Sequence, residues 1–255
     1  MSNIAKAFEN GKAFIPFITC GDPDLETTGR IIREAVKNGA DILELGIPFS
    51  DPTAEGAVIQ RANKRALENG VTTDKIFDFL RELRSEITIP IVLMTYANVV
   101  FSYGTERFIH TCAETGVDGI IITDLPFEEK GEFLPFCTQY GVELISMIAP
   151  TSKDRISMIA KQATGFVYIM SGIGARGVNG AVAENLPEIV RTIRENTDIP
   201  CAIGFGEPTA EQAKEFAAVA DGIISGSALV GIIEQSVDAA ANIGEYVKNM
   251  KNALQ

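Results

Sequence analysis

The sequence predicts a TIM barrel, a closed (β/α)8 fold of the α/β class, and three observations carry that expectation. Short β-rich runs alternate with longer segments of helical period eight times along the 255 residues. Several runs are apolar at consecutive rather than alternate positions, as parallel strands covered on both faces are. No Ser/Gly-rich linker interrupts the series, which favours a single barrel domain over residues 1–255 above an open doubly wound sheet.

An extra helix is expected at residues 2 to 10. The strand runs then follow as FIPFIT (14–19), DILELG (41–46), IPIVLMTY (89–96), GIIITD (119–124), VELISMIA (142–149), FVYIMS (166–171), PCAIGF (200–205) and GIISG (222–226). After the first run, DPDLETTGRIIREAVKNG puts Leu25, Ile32, Ala35 and Val36 on one face, and Asn38-Gly39 is a stop signal. The segments TTDKIFDFLRELRSE, TERFIHTCAETG, SKDRISMIAKQATG, NLPEIVRTIREN and TAEQAKEFAAVAD repeat the plan. Further helices fit near 58 to 69 and at the C-terminus.

A net charge of -12 makes a nucleic acid or an anionic membrane surface a poor partner, so a small metabolite or another protein is expected. The start MSNIAKAFENGKAF carries Lys6, Glu9 and Lys12 where a signal peptide needs an apolar core, and the longest apolar runs are too short to cross a bilayer. A cytoplasmic location is the expectation. Cys20, Cys112, Cys137 and Cys201 lack paired spacing and read as reduced core thiols.

In such a barrel the chemistry gathers at the C-terminal ends of the strands. Glycines cluster there late in the chain: SGIGARGVNG after the sixth run, GFGEP after the seventh and SGSALVGII after the eighth. Glycine admits close backbone approach, and free N–H groups at a helix start favour an anion. A phosphorylated substrate is therefore expected against Gly206, Gly226 and Ser227, with Gly177 nearby and Arg176 within reach of a charge-assisted contact. The plainer reading is that these glycines only turn corners.

Absences narrow the reaction. The one histidine, His110, falls inside a predicted helix, so neither a Ser-His-Asp triad nor a multi-histidine metal centre is available, and no metal site is expected. No lysine falls on the C-terminal half of a strand, where an imine-forming lysine would sit; Lys130 and Lys153 belong to helix starts. Carboxylates remain. Glu44, in ILELG, shares a strand face with Ile42 and Gly46. If that face is the barrel interior, desolvation raises its pKa toward neutrality and lets it give and take protons. The competing reading is a structural acid hydrogen-bonded to neighbouring strand ends. Glu55, in the loop opening from the same strand, is a second acid able to fold back over the pocket. Asp51 reads instead as a turn residue.

FIPFITCGDP, LELGIPFSDPTAEG, LMTYANVVFSYG, DLPFEE, APTS, GFVYIMSGIG, GFGEPT and SGSALV together resemble, in order and over nearly the whole chain, the tryptophan synthase alpha subunits. The resemblance implies a barrel lyase that cleaves indole-3-glycerol phosphate into indole and glyceraldehyde 3-phosphate in tryptophan biosynthesis. It implies no cofactor in this chain, and a pyridoxal-phosphate (PLP) beta subunit as partner in an α2β2 heterotetramer. Carried over by position, it makes Glu44 the general acid/base and Glu55 the acid facing the indole N–H. Phe17, Tyr96, Tyr168 and Phe205 then fall at the indole pocket, and Gly177, Gly206, Gly226 and Ser227 at the phosphate.

Two places depart from the pattern so implied. Glu55-Gly56-Ala57 stands where Asp-Gly-Pro is expected, and Arg176 stands in place of a threonine in the loop after the sixth run. These departures leave a second reading open: an alpha-like barrel of little activity that binds and activates a beta subunit.

Overall fold

The computed structural model describes residues 3–150, 153–171 and 181–255, the side chains of 181–184 excepted. Its strands are β1 (Ala13–Thr19), β2 (Leu43–Gly46), β3 (Ile91–Thr95), β4 (Gly119–Ile122), β5 (Glu143–Leu144), β6 (Ser146–Ile148), β7 (Val167–Met170), β8 (Cys201–Phe205) and β9 (Gly222–Ser225). All eight predicted runs form strands. The fifth is divided, because β5 pairs with β4 and β6 pairs with β7. The sheet runs β5-β4-β3-β2-β1-β9-β8-β7-β6, and its two ends are joined through Ile145 alone. Ile145 N–H still donates to Ile120 O at 2.9 Å, so the fifth run closes the barrel by changing neighbours along its length.

Parallel pairing throughout explains the consecutive apolar positions. Odd positions of β1 and even positions of β2 and β3 point inward: Ile15, Phe17, Ile42, Val92 and Met94 form one buried cluster. Their neighbours Phe14, Ile18, Leu43, Leu45 and Leu93 belong to a second cluster under the helices. Both faces of each strand are thus dry, as expected for a sheet with helices outside and side chains inside.

Helices fall where the start and stop signals put them. The first long one, Leu25–Lys37, begins with Asp24 accepting Thr27 N–H at 2.6 Å and ends at Asn38, with Gly39 at φ +105°. Its buried stripe is Thr28, Gly29, Ile31, Ile32 and Ala35, so Leu25 and Val36 lie at the margin rather than at the centre of the face. Helices Ala57–Glu68 and Ala239–Ala253 match the expected extras. Helices Ala97–Tyr103 and Leu134–Tyr140 were not legible in the periodicity, being only seven residues each. Among the described residues, no helix is long and apolar enough to cross a membrane.

The helix expected at 2 to 10 is a short one, Asn3–Lys6, continued by turns. It closes the N-terminal end of the barrel. Ile4 is completely buried in the inner cluster, and Phe8 packs on Phe166 with ring centroids 5.9 Å apart. A Cβ on Gly119 would come within 3.0 Å of Ile4 Cδ1, so glycine makes room for this plug. Around the same end, acids at or just before the start of three runs cap strand N–H groups. Asp41 accepts from Phe14 N (2.7 Å), Asp118 from Ile91 N (2.9 Å) and Asp221 from Cys201 N (3.0 Å). Each is also paired with a cation: Lys251, Arg84 and Arg194 respectively.

Truncating the plug by Ile4→Ala is expected to cost about 2–5 kcal/mol, the range for an aliphatic side chain removed from a packed core. A urea unfolding midpoint equal to wild type would show that the barrel end does not depend on this residue.

Candidate active site

At the open, C-terminal end of the barrel lies a cavity of about 790 Å³ including its mouth. Glu44 and Glu55 both border it. So do Phe17 and Tyr168 on the barrel wall, and Gly206, Gly226 and Ser227 at the ends of β8 and β9. The structure therefore brings most of the sequence-derived site together. Gly177 and Arg176 lie outside the described residues.

Glu44 occupies the middle of β2, in register with Phe17 on β1 and Val92 on β3, both inner-cluster residues. Strand alternation alone puts it inside. It is 1% exposed, forms no salt bridge within the described structure, and its Oε2 has no hydrogen-bond partner there. Burial pushes its carboxyl up to about 8. This is the opposite of the treatment given to Asp41, Asp118 and Asp221, each held by an N–H and a cation at the other end of the barrel. The reading of Glu44 as a structural acid tied to strand ends has no support in these contacts. An unpaired buried carboxyl stays protonated near neutral pH.

Glu55 stands two residues before the helix Ala57–Glu68, whose N-cap is Gly56. Asn63 Nδ2, two turns into that helix, donates to Glu55 Oε2 at 3.0 Å, and the Tyr96 hydroxyl donates to the same carboxylate. Partial burial raises the Glu55 carboxyl, and these two hydrogen bonds oppose the rise. Tyr96 also accepts Ala54 N–H at 3.1 Å, and its ring packs on Phe49 at 5.0 Å. Tyr96 is thus absent from the cavity wall and instead anchors the loop that carries Glu55. Asp51 accepts a hydrogen bond from Ser50 Oγ at 2.6 Å on the exposed rim, a turn contact.

Tyr168 reaches across from β7. Its hydroxyl is pushed up by burial and, second, by the Glu44 charge. A Cβ on Gly204 would lie 2.5 Å from the Tyr168 ring, so only glycine on β8 admits this tyrosine. Phe205 borders the cavity, yet its ring stacks on Phe216 at 4.1 Å and belongs to the outer layer.

The β8 and β9 loops are pinned together by Ala228 N–H donating to Gly206 O at 2.9 Å. Helix Ser227–Gln235 starts there with no side-chain cap at Gly226. An uncapped helix N-terminus flanked by glycines suits a phosphate. Met94, Thr123, Met147, Met170, Ile59 and Ile224 complete the wall. They read as ordinary core in the sequence; strand alternation at the run ends is the signal that could have found all but Ile59, which lies in the first turn of the helix Ala57–Glu68. Asn63 gave no signal short of its helical spacing from Glu55. Cys20, Cys112, Cys137 and Cys201 are buried free thiols, and His110 is exposed beside Glu114 and Tyr140.

Comparison with known proteins accounts for this arrangement. Residues 4–255 match the family model described as tryptophan synthase alpha chain. The tryptophan synthase alpha chain of Lacticaseibacillus casei is 45% identical over 255 residues, covering 100% of this chain and 96% of that protein. The tryptophan synthase subunit alpha of Legionella pneumophila superposes with a TM-score of 0.88 at 36% identity, covering 100% of this chain and 98% of that one. A chain of the tryptophan synthase complex from Pyrococcus furiosus superposes with a TM-score of 0.86 at 32% identity, covering 95% and 98%. Matched by the family model over residues 4–255 and by these relatives over nearly its whole length, the chain belongs to the tryptophan synthase alpha chain family.

Proposed function

We propose that this chain is the lyase that cleaves indole-3-glycerol phosphate to indole and glyceraldehyde 3-phosphate, with Glu44 as its general acid and base. The observation that carries the assignment is the desolvated carboxyl of Glu44, its Oε2 without a hydrogen-bond partner among the described residues, on the wall of a cavity that also meets the uncapped helix start at Gly226. Held protonated near neutral pH, Glu44 gives its proton to C3 of the indole ring. The ring becomes a cation centred on N1, and Glu55 stabilises it by accepting the N1–H hydrogen bond. The Glu44 carboxylate then takes the proton of the hydroxyl on the carbon attached to C3. That carbon becomes the aldehyde, the bond to C3 breaks, and its electron pair returns to the ring as indole. One proton is given and one taken, so Glu44 ends as it began. The ring is its own electron sink.

At the ends of β8 and β9, Gly206 and Ser227 would hold the phosphate by backbone N–H groups; Gly226, whose own N–H donates to Phe205 O at 3.2 Å, would allow the close approach, with Gly177 as a further proposed contact. Phe17 and Tyr168 flank the ring. Glu55 in place of the expected aspartate fits its surroundings: Asn63 and Tyr96 reach the longer carboxylate. Ala57 opens its helix without the proline that would favour a first position, a small loss of rigidity. We place the protein in the cytoplasm as alpha subunit of an α2β2 assembly, passing indole to a PLP-dependent beta subunit; the Pyrococcus furiosus relative is a chain of a tryptophan synthase complex.

An assay of indole release from indole-3-glycerol phosphate, with and without a beta subunit, tests the reading. Glu44→Gln is expected to lower kcat by roughly 100- to 10,000-fold, the range for a lost general acid/base. Activity retained in that variant rules the mechanism out, and a wild-type chain that only stimulates the beta subunit identifies an activator instead. Glu55→Asp withdraws the carboxylate from Asn63 by one methylene, and a loss on the order of 100-fold is expected from a misplacement of about 1 Å. An unchanged or faster Glu55→Asp enzyme would show that the loop was built for the shorter acid.

The raised carboxyl of Glu44 also makes a stability prediction. The folded state binds this proton more tightly than the unfolded chain does, so folding favoured by it is complete at low pH. It is lost as pH rises from about 4.5 to about 8. Across that window the wild type should lose about 1.4 kcal/mol per pH unit relative to Glu44→Gln. Parallel pH profiles of urea unfolding for the two proteins would refute the desolvated acid.

A further inference from the structure

A group of charged residues behind the cavity joins the two halves of the site. Asp22, in the turn after β1, is fully buried, and its carboxylate receives Arg65 Nε and Nη2, both at 2.8 Å. Arg65 directs Nη1 to Glu234 Oε1 at 2.7 Å. Glu234 is gripped from its other side by Arg61, with Nε to Oε1 at 2.8 Å and Nη2 to Oε2 at 2.6 Å. Arg61 and Arg65 stand one turn apart on helix Ala57–Glu68, and Glu234 is at the end of helix Ser227–Gln235.

Each of these helices has its N-terminus at the cavity. The first begins directly after Glu55, and its Asn63 holds the Glu55 carboxylate. The second begins at Ser227, among the phosphate donors. The two starts meet as well, since a Cβ on Gly226 would be 3.8 Å from Ile59 Cδ1. Groups that must grip opposite ends of one substrate therefore ride on separate helices. Among the described residues, these ion pairs tie the bodies of the two helices together.

We propose that the Asp22–Arg65–Glu234–Arg61 network is a positioning clamp that sets the span between Glu55 and the phosphate donors, and thereby the length of substrate the site accepts. The clamp rests on the proposed lyase reading. None of its four residues borders the cavity, so each acts through Glu55 or the phosphate helix. An ordinary exposed pair would hold nothing in place. Here one arginine forks onto a buried carboxylate and a second forks onto Glu234, which fixes orientation as well as distance. The Arg61 guanidinium, helped by Arg65, keeps the Glu234 carboxyl down at about 2, so the clamp stays charged through the neutral range.

The test compares Glu234→Gln with wild type in two measurements: steady-state cleavage of indole-3-glycerol phosphate, and calorimetric binding of inorganic phosphate alone. Phosphate engages one helix and is indifferent to the span, so its dissociation constant should not move. Cleavage needs both helices, and kcat/KM should fall on the order of 10- to 100-fold, mainly in kcat. Arg61→Gln, which leaves the buried Asp22–Arg65 pair intact, should shift the same two readings in the same direction and serves if Glu234→Gln folds poorly. Unchanged kcat/KM in both variants overturns the clamp. Phosphate affinity falling in step with kcat/KM also overturns it, because the network would then only support the phosphate helix. A wild-type chain that releases no indole removes the reaction itself and the clamp with it, an outcome distinct from an active wild type with indifferent variants.

Discussion

The chemistry proposed for this barrel depends on withholding partners from one carboxyl group. Acids are abundant at the N-terminal end of the sheet, where Asp41, Asp118 and Asp221 each receive a strand N–H and a cation. Such groups serve as caps. Glu44, halfway up β2, has the reverse surroundings: apolar neighbours on both adjacent strands and an oxygen without a donor. Desolvation then holds it as a neutral acid with a proton to give, and the ion it becomes is eager to recover one.

That environment is a consequence of closure. A parallel sheet bent into a barrel points every second side chain into a shared interior, so a single acid placed in phase with Ile42 has nowhere to reach solvent except the mouth. Closure is achieved by the fifth run, which pairs with β4 through Glu143 and Leu144 and with β7 through Ser146 to Ile148. The plug formed by Ile4 and Phe8 shuts the far end. The cavity that Glu44 borders opens at the other end, among the loops that follow the strands.

Those loops divide the labour. In the proposed reaction the β2 loop supplies the second acid and is held by Tyr96 and Asn63, while the β8 and β9 loops would present backbone to the phosphate end of the substrate. Loops are pliable, and here each continues into a helix whose body is tied to the other by Arg61, Arg65 and Glu234. Rigidity at the mouth is thus borrowed from ion pairs one to two turns away, in keeping with the need to hold reacting groups to within a fraction of an ångström.

Much of this was legible in the chain before its coordinates. Eight consecutive-apolar runs, Asn38-Gly39 as a helix stop, Glu44 in phase with Ile42 and the late glycines are local patterns, and local patterns survive in a linear reading because strand and helix periods are properties of the backbone. The two seven-residue helices escaped, being shorter than two clear periods. Phe205 and Tyr96 show the limit more sharply. Both are aromatic residues at strand ends, yet the Phe205 ring packs outward on Phe216 and Tyr96 turns to hold a loop, choices made by neighbours far away in sequence. Asn63 against Glu55, Gly204 beneath Tyr168 and Glu234 between two arginines are likewise pairings across loops or across the barrel. The sequence by itself determined which positions face inward and which residue types are available for the proposed chemistry. Only the tertiary structure decided which of them lack a partner, because the absence of a hydrogen-bond donor is a property of the whole surrounding shell and of no single stretch of chain.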